Sequence, residues 1–127
     1  MSRAATQSIS QRAIGTIPAH EQPVSEQFRL VARQWSDEDA AASLLEELKT
    51  TTLEKIKSGV IANETMSENK AERLAKCTPE WTEYIEKMCA HRAKANRLKL
   101  QMEYLRMRFS EAQSHEANAR HEARLSR

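Results

Sequence analysis

Six basic side chains set the first chemical question in this chain. Arg92, Lys94, Arg97, Lys99, Arg106 and Arg108 crowd one stretch, together with Lys87 and against only Glu103. Closely spaced cations can follow a phosphate backbone, and Trp81, Tyr84 and Tyr104 stand near enough in sequence to stack on bases. They can equally meet carboxylates. Between Glu21 and Glu54 the chain carries Glu21, Glu26, Asp37, Glu38, Asp39, Glu46, Glu47 and Glu54 against Arg29, Arg33 and Lys49. The two segments attract, inside one chain or between two.

Other chemistries find little footing. Cys77 and Cys89 do not form a C-x-x-C pair and are too few for a disulfide framework. They read as reduced residues that pack between helices. The histidines His115 and His121 are six residues apart, about 600° of helix rotation, so they fall on different faces and do not share a metal. No nucleophile elbow, P-loop or dinucleotide-binding glycine motif occurs. No enzyme activity, cofactor or metal is expected.

The elements that must carry these residues are helices. With two glycines and three prolines in 127 residues, turns are scarce, and 39% hydrophobic with 30% charged residues is the balance of long amphipathic helices. No apolar run is long enough to span a membrane and the N-terminus lacks an apolar signal core, so a cytoplasmic location is expected.

The strongest periodicity begins at Trp81. Positions seven apart hold Trp81, Met88, Ala95, Met102 and Phe109, and those three further on hold Tyr84, His91, Leu98, Leu105, Ala112 and Ala119. That heptad predicts one long helix with a single apolar seam, started by Thr78 as N-cap and Pro79 in the first turn. Such a seam must be covered. Trp81, Met88, Leu98, Met102, Leu105 and Phe109 are therefore the candidates for self-association. Arg92, Lys94, Arg97, Lys99, Arg106 and Arg108 are the candidates for contact with a partner or nucleic acid.

Upstream, residues 1–23 lack a period and read as a mobile tail. From about Ser25 an apolar face through Phe28, Val31, Trp35, Ala42, Leu45, Leu48, Leu53 and Ile56 predicts one continuous helix, with room for a kink, ending near Ser58 with Gly59 as its C′ residue. Ser67 then opens a short helix to about Lys76, with Ala71, Leu74 and Ala75 inward. The expected fold is all-α: a long antiparallel helical hairpin or coiled coil over 24–127, with a short connecting helix; one helix pair buries a modest apolar area for a chain of this size, so a homodimer is expected.

The runs Ala71-Glu72-Arg73-Leu74-Ala75-Lys76, Ala95-Asn96-Arg97-Leu98-Lys99, Glu103-Tyr104-Leu105-Arg106-Met107-Arg108-Phe109-Ser110-Glu111 and Glu116-Ala117-Asn118-Ala119-Arg120 resemble small uncharacterised helical proteins of tailed bacteriophages and prophages, as does Ala40-Ala41-Ala42-Ser43-Leu44-Leu45-Glu46-Glu47. The resemblance covers roughly residues 24–125. It implies a phage setting beside genes of recombination or replication, and brings no active site. The functional expectation is a non-enzymatic accessory protein that docks on another phage or host protein, in DNA recombination, replication or against host defence. The alternative is nucleic-acid binding by the basic face of the long helix.

Overall fold

The computed structural model describes residues 22–62 and 64–126. The expected mobile tail lies outside the described residues, apart from Gln22 and Pro23. Four helices follow in order: α1 (Val24–Glu47), α2 (Lys49–Ile61), α3 (Glu68–Lys76) and α4 (Pro79–Leu125). Among the described residues there is no strand, and the fold is all-α as expected. No helix among them is long and apolar enough to cross a membrane.

Each boundary has a local cause. At the start of α1 the Pro23 carbonyl accepts from the N–H groups of Glu26 and Gln27, both at 3.0 Å. Ser67 Oγ accepts the Lys70 N–H at 3.3 Å and opens α3. Thr78 Oγ1 accepts the Trp81 N–H at 3.3 Å while donating to the Ala75 carbonyl at 2.6 Å, tying the end of α3 to the start of α4. Both short-range starts stand where the capping residues put them. From Pro79 the helix runs for 47 residues, about 70 Å at 1.5 Å per residue.

The first helix departs from expectation. It does not run unbroken to Ser58; it ends at Glu47, and Leu48, with φ −85° and ψ 1°, separates it from α2. The hydrogen-bond ladder nevertheless steps across, from Leu48 N–H to the Leu44 carbonyl at 3.0 Å and from Thr52 N–H to the Leu48 carbonyl at 2.9 Å. Three threonines at 50–52, stiff at χ1 and poor helix formers, follow directly and mark the weak point. Gly59 is no C′ residue either. It lies inside α2 with an ordinary negative φ, and the helix continues to Ile61.

The described chain forms two compact units, residues 22–33 with 100–126 and residues 34–99. In the unit of residues 34–99, α1 and α4 run antiparallel: Glu38 meets His91 and Lys94, whereas Leu45, further along α1, meets Tyr84, earlier on α4. Ala42, Ala71, Ala75, Trp81, Ala95 and Leu98 are buried there. Alanines at so many buried positions let helix backbones approach closely. Of the expected inner face of α3, Ala71 and Ala75 are buried but Leu74 is exposed. Lys57 of α2 is buried too, its ammonium 2.6 Å from Glu68 and 3.4 Å from Glu54. Those carboxylates, Glu68 first, raise its pKa and keep it charged.

In the other unit the first turns of α1 lie along α4 at Leu105 to Phe109, and Val31 and Leu105 are its buried residues. Beyond Leu105 nothing on the seam is buried: from Arg106 through Ser126 every residue is exposed.

Candidate functional site

The six basic candidates divide into two kinds. Arg92 is spent inside the chain: its Nε donates to Glu46 at 2.8 Å, Nη2 to the other Glu46 oxygen at 3.0 Å and to Ser43 Oγ at 3.3 Å, and Nη1 to Asp39 at 2.7 Å. Lys94 lies 3.2 Å from Glu38, whose second oxygen is 2.6 Å from His91 Nδ1. These contacts hold the Glu38 carboxyl below the usual carboxylate range, His91 first and Lys94 second, and Arg92 does the same to Glu46. Arg92 is itself raised by Glu46 and then Asp39, so it stays protonated. The acid-rich segment therefore meets the basic one within a single chain.

Arg97, Lys99, Arg106 and Arg108 are exposed and have no acidic partner among the described residues. Their spacing splits them. Arg97 and Lys99 are two residues apart, as are Arg106 and Arg108, and two residues on a helix turn about 200°. Across the pairs, Arg97 and Arg108 are eleven residues apart and Lys99 and Arg106 seven, close to whole turns, so the four cations divide two and two between opposite faces.

The six self-association candidates also divide. Trp81, Leu98 and Leu105 are buried in the chain, and Met88 and Met102 are half-buried. Trp81 stacks on Tyr84, ring centroids 5.8 Å apart, and the Tyr84 hydroxyl donates to the Leu45 carbonyl. The chain itself thus covers Trp81, Leu98 and Leu105 and part of Met88 and Met102. Phe109 differs, at 48% exposed.

Phe109 leads to a feature the sequence did not single out. Val24, Ser25 and Phe28 from the first turns of α1, and Leu105, Arg106 and Phe109 from α4, line an open apolar groove of about 290 Å³. The Arg106 guanidinium carbon sits 5.6 Å from the centre of the Phe28 ring, within cation–π range. One rim is thus cationic and the floor is aromatic and aliphatic. The signal available beforehand was the seam itself: its apolar positions run on to Phe109, while the apolar positions of the first helix begin only at Phe28, so the two ends meet there and leave aromatic surface uncovered.

Such a groove can seat an apolar side chain and hold a neighbouring carboxylate at Arg106. It has no titratable group placed for acid–base work. Cys77 and Cys89, expected between helices, are free and exposed instead. Among the described residues no group of three His, Cys, Asp or Glu side chains is arranged to hold a metal ion. No known protein family matches this chain, and no curated protein or solved structure does so either.

Proposed function

We propose that this chain is a non-enzymatic accessory protein of the kind tailed bacteriophages encode, acting by contact in the cytoplasm of the bacterial host. Its partner is a protein of DNA recombination, replication or host defence. The observation that supports the reading is the groove of Val24, Phe28, Leu105 and Phe109 with Arg106 on its rim. Aromatic side chains left open beside an arginine that has no acidic partner among the described residues are the composition of an interface anchor. The groove suits an aliphatic or aromatic residue of the partner with an acidic residue beside it.

The test is affinity capture from infected or lysogenic cells, with the full chain and its Phe109→Ser and Arg106→Glu variants as parallel baits. A protein held by the unaltered chain and lost from both variants supports the reading. Identical captures from all three remove it.

A second reading, nucleic-acid binding by α4, draws on the exposed Arg97, Lys99, Arg106 and Arg108. A salt titration against a fluorescent oligonucleotide decides it: several engaged phosphates give a steep fall of affinity with salt, and absence of binding at low salt ends it. These four cations divide two and two between opposite faces of α4, too few on either to follow a phosphate backbone over several contacts, which favours the protein-contact reading.

A further inference from the structure

Away from the groove, α4 carries a second apolar stripe. Leu100, Tyr104 and Met107 are spaced by four and three residues and are 66%, 55% and 59% exposed, whereas Leu105 between them is 3% exposed. The stripe therefore lies on the side of the helix that the chain itself does not cover. Large apolar side chains clustered in this way on a helix in water mark a contact surface.

Its flanks say what kind of contact. Taking Tyr104 as an a position, the same stripe continues as Glu111, Asn118 and Leu125 at a, with Leu100, Met107, Ser114 and His121 at d. Glu103 is then at g and Arg108 at e. Both are exposed, and neither has an ion-pair partner among the described residues. In a parallel two-stranded pairing, a g residue faces the e′ residue five positions on in the other strand. Glu103 of each copy then faces Arg108 of the other, and the two-fold axis makes the pair twice. An antiparallel pairing brings the glutamate edge to the glutamate edge and the arginine edge to the arginine edge. Asn118 at an a position also fits a parallel dimer, where a buried asparagine fixes register and strand number.

We infer that the outer stripe of α4 pairs with the same stripe of a second copy, parallel and in register, with Leu100, Tyr104 and Met107 as its apolar layers and two Glu103–Arg108 ion pairs beside them. Three apolar layers are few beside a standard interface of roughly 800 Å² per partner. Glu111 meets its own copy across the axis and opposes pairing. The dimer is accordingly weak and depends on protein concentration. It uses a different side of α4 from the groove, so the two surfaces can be tested apart.

Sedimentation equilibrium of the full chain over a wide concentration range tests the inference. The unaltered chain should shift from monomer to dimer, and Tyr104→Lys should remain monomeric with unchanged helical circular dichroism, since Tyr104 is an exposed residue of α4. Glu103→Arg or Arg108→Glu alone should weaken the dimer by about five- to tenfold, because each turns two attractive pairs into repulsive ones. The double exchange should restore it. Glu111→Leu should tighten it, and Phe109→Ser should leave it unchanged. A chain that is monomeric throughout overturns the inference, as does a dimer lost with Phe109→Ser but kept with Tyr104→Lys. A double exchange no better than either single change also overturns it, by ruling out the parallel register.

Discussion

Arg92 grips Glu46 with two parallel hydrogen bonds, from Nε at 2.8 Å and from Nη2 at 3.0 Å, one to each carboxylate oxygen. The third nitrogen of the same guanidinium reaches Asp39 at 2.7 Å. Glu46 and Asp39 are seven residues apart on α1, two helical turns, so one planar cation spans them and fixes the register of α4 against that helix. Arg92→Lys keeps the charge but removes the fork. It should lower the melting temperature by a few degrees at low ionic strength, and by less in high salt because the site is partly exposed. Thermal melts at two salt concentrations check this; a change unaffected by salt would place the cause in packing.

The same network makes stability fall in acid. The folded carboxyls of Glu38 and Glu46 titrate below their ordinary value of 4.5. A carboxylate with a depressed folded pKa contributes stability that is present above the unfolded value and is lost as pH drops through the folded one. Melting temperature should therefore hold steady above about pH 5 and decline below it. Glu46→Gln should melt lower at neutral pH and show a shallower acid decline. An acid slope identical to that of the unaltered chain would exclude Glu46 as a source of it.

Gly59 offers a gain of stability. It lies within α2 at negative φ, and an added Cβ would meet nothing within 4 Å. Gly59→Ala should stabilise the fold by about 0.5–1 kcal/mol, since alanine loses less backbone freedom on entering a helix. Chemical denaturation measures it. Destabilisation would mean that the residue ends the helix in the left-handed region, as its neighbours Lys57 and Ser58 suggest when read alone.

Leu105 and Leu100 stand five residues apart on α4 with opposite fates. Leu105→Ala empties a buried position and should cost about 2–3 kcal/mol. Leu100→Ala removes an exposed side chain and should change the stability of the monomer by less than ~0.5 kcal/mol. Denaturation at low protein concentration separates them. Equal losses would show that the helix is covered on both sides within one chain.

What the sequence determined by itself was local and periodic. Ser67, Thr78 and Pro79 set the starts of α3 and α4 because a cap acts on amides three residues away. The heptad from Trp81 to Leu105 located a covered seam, and the opposite charge of the two segments announced their attraction. Tertiary structure decided the rest. Whether Arg92 answers Asp39 and Glu46 of its own chain depends on the register of two helices, which no short-range signal encodes. The interruption at Leu48 appears where the chain has neither glycine nor proline, only threonines after it. Cys89 and Leu74 sit at helical positions compatible with packing and Cys77 directly follows α3, yet all three remain exposed because no neighbouring element covers them. The groove at Phe28 and Phe109 depends on where α1 begins along α4, and the open stripe of Leu100, Tyr104 and Met107 on which side of α4 it covers. A periodic pattern says that a face is apolar; only the placement of the other helix says whether it is covered.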